Sequence, residues 1–193
     1  VLALLAGLAL PITAVQILWV NLITGITLGL ALAFERPEPH VMARPPRRRD
    51  APLMTAGMVW HVVLVTGLFL VAVFGVFAHA QSQGLSLALA QTMAMNMLVV
   101  LEIFHLIFIR NLHGSSLTLR GMRGSRVLWT VILLILAAQA VVTWLPAAQV
   151  ILGTEAMALP QIAVILGTGL GFLLLLEAEK LYRLLRRRRA PTN

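Results

Sequence analysis

Residues 87–109 form a long apolar run, LALAQTMAMNMLVVLEIFHLIFI, and it holds one carboxylate, Glu102. An ionisable side chain at the centre of a bilayer costs about 2.5–3.5 kcal/mol on insertion scales, so it needs a partner or a task. Two readings of Glu102 are open. Either His105, Arg110 or a facing helix satisfies it, or its oxygens bind a cation. Residues 12–34 carry Gln16, Asn21, Thr24 and Thr27 in a second apolar run. Asn21 and Thr24 lie three residues apart, about 60° apart around a helix and one turn apart in height. Amide and hydroxyl oxygens are hard donors that suit Na⁺, K⁺ or Ca²⁺ rather than soft metals. The competing reading is a packing face, because Gly25 and Gly29 make a GxxxG that permits close helix approach. Gln91 and Asn96 are neutral amides, expected to hydrogen-bond between helices.

Other chemistries find little to work with. The chain has no cysteine, so disulfides and thiolate metal sites are excluded. His61 and His105 stand alone in apolar runs, and His40, His79 and His113 fall in loops without a second ligand at metal spacing, so zinc or copper is not expected. No GxxxxGK[ST] phosphate loop occurs. Glu179 and Arg183 are spaced i,i+4 and can pair at a helix end.

These side chains need a scaffold, and composition says which. Of 193 residues 60% are hydrophobic and only 11% charged, where a soluble domain carries about 25% charged residues. Such a chain cannot cover itself with polar groups in water, so the lipid bilayer is its expected partner. Open strands leave backbone groups unsatisfied in lipid, and spanning segments must be helices. A spanning helix needs roughly 20 apolar residues. Five runs qualify: 12–34, 54–78, 87–109, 127–147 and 157–176. The expected fold is an all-α membrane protein, a polytopic bundle of five full transmembrane helices. Residues 1–10 read as the end of a sixth, stopped by Pro11. The N-terminus has neither an initiator Met nor a charged n-region, which argues against a signal peptide.

The net charge of +8 does not signal nucleic acid, because the basic residues lie in short clusters between apolar runs. All 15 Lys and Arg residues fall in 35–52, in 110–126 or beyond 179, and none falls in 79–86 or 148–156. The positive-inside rule then places the two basic loops and the C-terminus in the cytoplasm. Arg186 to Arg189 are also suited to anionic lipid headgroups, at about 1 kcal/mol per basic residue. Trp19, Trp60, Trp129 and Trp144 sit near span ends, where amphipathic rings prefer to lie.

Three ordered motifs carry a family resemblance: PxxxxQILWVNLIT at 11–24, LALAFERPE at 30–38 and VMARPPRR at 41–48. Together they resemble the sixth transmembrane helix and its exit in type II P-type ATPases, the family of the calcium and sodium/potassium pumps. Span number and loop lengths extend the resemblance over essentially the whole chain, as helices six to ten after the end of helix five. The resemblance implies a membrane domain of an ATP-driven cation pump. Helices one to five and the cytoplasmic domains, with their ATP, Mg²⁺ and phosphorylated Asp, would belong to the rest of the protein. No DKTG motif occurs here, so the chain itself is expected to bind no cofactor and to be inactive alone.

By position, the resemblance makes Asn21, Thr24 and Glu102 cation ligands. It departs at Gly25, where calcium and sodium pumps carry an Asp. That implies a single-ion site or a different cation, with Gly25 at a close backbone approach or unwound turn and its carbonyl exposed as a ligand. The alternative from another class is a self-contained secondary transporter or channel subunit.

Overall fold

The computed structural model describes residues 9–33, 54, 56–110 and 126–189. The terminal span expected at 1–10, the basic loops and the last residues of the tail lie largely outside them. Six helices follow in order: α1 (Ala14–Ala33), α2 (Ala56–Ser82), α3 (Leu87–Arg110), α4 (Arg126–Trp144), α5 (Pro146–Leu152) and α6 (Leu159–Arg189). No strand occurs among the described residues. Four helices are long and apolar enough to cross a membrane, within α2, α3, α4 and α6, and α1 contributes a shorter apolar stretch, Ala14–Ile26.

Helix α3 is the centre of the bundle and is covered on two faces. Met93, Met97, Leu101 and Phe108 pack with Val73, Val76 and Phe77 of α2 and Ile165, Phe172 and Leu176 of α6. Met95, Val99, Ile103 and Leu106 pack with Val20 of α1 and Val131, Ile132 and Ile135 of α4. The first set recurs at spacings of four and seven residues, and the second at four, four and three. Each therefore forms one stripe of a 3.6-residue helix. Outer faces of α1, α2 and α4 remain apolar and exposed, as at Leu18, Val71 and Leu133, which suits a surface solvated by lipid.

The helix ends have local causes. Thr13 and Gln16 form a capping box at the start of α1. The Gln16 N–H donates to Thr13 Oγ1 at 3.3 Å, and the Thr13 N–H donates to Gln16 Oε1 at 3.2 Å. Helix α4 stops at Trp144, short of the expected end at Ala147. Leu145 takes an extended conformation (φ −82°, ψ 118°) because Pro146 follows it and opens α5. Part of the expected outer loop is thus helical. Gly153 closes α5 in the left-handed region at φ 61°, where glycine carries no Cβ penalty. Helix α6 continues past the expected Leu176 into the basic tail.

Gly169 of α6 packs closely on α3: a Cβ there would lie 2.7 Å from the Phe104 ring and from Val100 Cγ1. A Cβ on Gly171 would meet nothing within 4 Å. Both alanine substitutions gain the same helix propensity, so the difference between them isolates packing. We expect Gly169→Ala to be less stable than Gly171→Ala by about 1–3 kcal/mol, the usual cost of overpacking. Denaturant unfolding in detergent measures that difference, and equal stabilities would contradict the close approach.

Candidate functional site

Gln16 fixes the N-terminal end of α1. Its side chain is fully buried. Beyond the capping box, its Nε2 donates to the Leu152 carbonyl at 3.2 Å and the Gly153 carbonyl at 3.5 Å. The α5 turn is thereby held over the bundle, and Thr154 Oγ1, donating to the Val142 carbonyl at 2.5 Å, ties the same turn to α4. Asn96 Nδ2 donates to the Thr92 carbonyl at 2.9 Å and to Thr143 Oγ1 on α4 at 3.3 Å. Gln91 Nε2 donates to the Leu10 carbonyl at 2.9 Å. Both amides bond between segments, as their type suggested.

The α1–α3 seam continues inward to the candidate ligands. Gln16, Val20 and Thr24 follow at four-residue steps on the buried face of α1. Thr24 Oγ1 donates to the Val20 carbonyl at 2.6 Å, which leaves the oxygen lone pairs free to accept or to coordinate. Beside it lies the carboxyl group of Glu102. Glu102 Oε2 is buried and has no hydrogen-bond partner. His105 does not satisfy it, its own Nδ1 being without a partner, and the Arg110 side chain lies outside the described residues. A buried acceptor left without a donor costs about 1–3 kcal/mol, and more when charged, so the arrangement is poised for a cation or a proton.

Asn21 stands elsewhere. It is exposed, about 100° around α1 from buried Val20, on a face that no described residue covers. Thr24 and Glu102 are therefore brought together, and Asn21 is not placed with them. Gly25 also departs from expectation. Helix α1 runs through it without an unwound turn, Gly25 is exposed, and a Cβ there or at Gly29 would meet nothing within 4 Å. No described residue makes a close approach at Gly25, and its carbonyl lies within a continuous helix rather than an unwound turn.

One further polar group faces the same seam. Gln139 on α4 is buried, accepts a hydrogen bond from Trp19 Nε1 at 3.3 Å, and leaves its own Nε2 without a partner. Trp19 thus turns into the bundle rather than toward a lipid headgroup. The histidines that looked isolated also meet: the rings of His61 on α2 and His105 on α3 stack with centroids 5.4 Å apart. Nothing local signals that contact, because the two are 44 residues apart. The expected Glu179–Arg183 ion pair is present on α6. No group of three His, Asp or Glu residues at metal-binding distance occurs among the described residues. Thr24 and Glu102 offer three side-chain oxygens between them, whereas Ca²⁺ takes 6–8 oxygen ligands, so these two can form only part of a cation site.

Residues 9–182 match the family model described as "Cation transporting ATPase, C-terminus". The chain is 42% identical over 156 residues to the "Probable cation-transporting ATPase F" of Mycobacterium bovis, covering 79% of this chain and 17% of that protein. It is 37% identical over 113 residues to the "Cation-transporting ATPase pma1" of Synechocystis, covering 58% and 12%. With the "Calcium-transporting ATPase" of Bacillus subtilis it shares 35% identity over 106 residues, covering 53% and 12%. The chain therefore spans less than a fifth of the length of these relatives.

Proposed function

From the premise that the chain belongs to the family of cation-transporting ATPase C-terminal regions, we propose that it forms helices six to ten of an ATP-driven P-type cation pump. In that role it supplies part of the cation site and the scaffold around it. The observation that carries the site is the half-buried Glu102 carboxyl, whose buried Oε2 has no hydrogen-bond partner, beside Thr24 in the seam of α1 and α3. Glu102 contributes charge and one or two oxygens, and Thr24 a hydroxyl oxygen. Asn21 is the third ligand, and its exposed face of α1 is where helices four and five of the pump would complete the coordination shell. The cargo is a hard cation such as Ca²⁺ or Na⁺. ATP, Mg²⁺ and the phosphorylated Asp belong to the pump's cytoplasmic domains. Nothing in the relatives or the fold favours a self-contained secondary transporter or channel subunit.

The basic segments 35–52 and 110–126 and the C-terminus face the cytoplasm in this reading. Helices α1, α3 and α6 then run inward, and α2 and α4 run outward. Phosphorylation needs an Asp cradled by glycines and Mg²⁺ ligands, and Asp50 in RRRDAP has none of these around it. The purified 193-residue chain is therefore expected to incorporate no acid-stable ³²P from ATP above a heat-killed control. Incorporation above that control would contradict the division of labour proposed here.

A further inference from the structure

The connection between α4 and α6, residues 145–158, is tied by hydrogen bonds to three other helices. Gln149 Nε2 donates to the Thr143 carbonyl of α4 at 2.7 Å, and Thr154 Oγ1 donates to the Val142 carbonyl of the same helix. The Glu155 N–H donates to Thr92 Oγ1 of α3 at 2.9 Å. Gln16 Nε2 brings α1 to this connection through the Leu152 and Gly153 carbonyls, 136 and 137 residues away along the chain.

Within this chain, α1 has few other means of holding its height. Val20 is the only buried apolar side chain among the described residues of α1, with Trp19 and Ile23 partly buried beside it. Val15, Ile17, Leu18, Leu22 and Ile26 are exposed. Apolar burial is non-directional, so it sets which face packs more firmly than the position along the axis. A hydrogen bond, by contrast, has a required length and angle. The tethers of this kind gather at the start of α1. They are the Gln16 bonds, the Trp19–Gln139 bond, and the bond from Gln91 of α3 to the Leu10 carbonyl just before the helix. Thr24 lies eight residues beyond Gln16 on the same buried face, about 12 Å along a stiff helix.

A simpler reading makes Gln16 a cap for α5 and nothing more. Gly153 already closes α5, with its N–H on the Gln149 carbonyl, and the last carbonyls of a helix are commonly satisfied by water. A wholly buried glutamine gives up side-chain freedom that such a cap does not require. Its amide also acts on both sides. Oε1 accepts from the Thr13 N–H while Nε2 reaches the turn, so one side chain joins the first turn of α1 to the end of α5.

We propose that Gln16 is a positioning residue for the cation: held by the α5 turn, it sets the height of α1 against α3 and with it the placing of Thr24 beside Glu102. The proposal rests on the reading of Thr24 and Glu102 as ligands. Ca²⁺ holds its oxygens at about 2.3–2.6 Å, so a small slide of α1 carries Thr24 out of that range and leaves the helix itself intact. Thr24 Oγ1 travels with α1, because its bond is to the Val20 carbonyl of the same helix. Residues 145–158 thus belong to the frame of the site, although their bond to α1 is made eight residues from Thr24.

The test titrates the cation against ATP hydrolysis by the intact pump. Gln16→Met keeps the length of the side chain and removes the amide. It is expected to raise the cation concentration for half-maximal activation roughly 3- to 30-fold, the range over which residues that touch no ligand alter its binding. The rate at saturating cation should stay within about twofold, because excess ion refills a weakened site. Thr154→Val loosens the same turn from α4 and should shift activation in the same direction, by less. Both act through one turn, so the double variant should match Gln16→Met alone. Trp144→Phe is the control. It removes the 3.1 Å bond from Nε1 to the Met157 carbonyl, toward the α6 end of the connection, and should leave activation at the wild-type value. If Gln16→Met does not fold, Gln16→Asn, with its amide on a stem one carbon shorter, carries the same expectation. Wild-type half-maximal concentrations in the Gln16 and Thr154 variants would overturn the proposal. So would shifts that multiply in the double variant, or a lower saturating rate with no shift, the mark of a purely structural bond. Unchanged activation in Glu102→Gln would instead overturn the ligand reading beneath it.

Discussion

Glu102→Gln in the intact pump raises the cation concentration for half-maximal ATPase activation roughly 10- to 100-fold. The substitution keeps the shape of the side chain and removes one negative charge from a buried site. Interactions with a charged partner contribute about 1.5–3 kcal/mol, which corresponds to that range in affinity. Folding should be almost untouched, because Glu102 Oε2 has no hydrogen bond to lose. Thr24→Val sets the scale for a neutral ligand: loss of one hydroxyl contact costs about 0.5–1.5 kcal/mol, or roughly 2- to 10-fold in activation. Cation titration of ATPase activity beside thermal unfolding separates binding from stability. Unchanged ion dependence in Glu102→Gln would remove this carboxylate from the site.

The second large effect is all-or-none. A cysteine introduced at Ser116 should be closed to an impermeant maleimide added outside intact cells, and one at Gln83 should be open to it. The chain has no native cysteine, so only cysteines elsewhere in the pump add background, and the unsubstituted pump measures it. Gln83 is exposed in the turn between α2 and α3, a segment with no Lys or Arg, whereas 110–126 holds four arginines. Each basic residue near an anionic cytoplasmic leaflet contributes about 1 kcal/mol, so inverting the bundle would place every one of these charges on the wrong side. Labelling at Ser116 but not at Gln83 would reverse the orientation.

The helices and their solvent were legible in the sequence because they depend on local quantities: length, hydropathy and the placement of charge. The Leu145–Pro146 break was signalled too, but the apolar run from Val127 to Ala147 concealed it, since hydropathy does not register a missing N–H. Thr24 and Asn21 show what a spacing rule omits. Both belong to one polar stripe, yet α3 covers only the side that carries Thr24 and Val20. Neighbours decide burial, and those neighbours lie about eighty residues away.

Gln16 illustrates a different limit. As one apolar run's only glutamine it suggested a ligand or a packing group, and its actual partners are the carbonyls of Leu152 and Gly153. Backbone acceptors of that kind leave no trace in residue type. His61 and His105 meet only because α2 and α3 settle into one particular register, set by packing of Val73, Val76 and Phe77 against Met93, Met97 and Leu101. At Gly25 the helix is continuous rather than unwound, because a glycine permits a break in a helix but does not require one.

We propose that the chain belongs to a machine in which ATP hydrolysis answers to a bound cation. The most direct test is a cation screen of ATP hydrolysis by the purified intact protein, with Mg²⁺·ATP held constant while Ca²⁺, Na⁺, K⁺ and Mn²⁺ are titrated in turn. Saturable stimulation by one hard cation is expected, with Glu102→Gln shifting that curve to higher concentration and leaving the others flat. Hydrolysis indifferent to all of them, or stimulation that Glu102→Gln does not move, would contradict it.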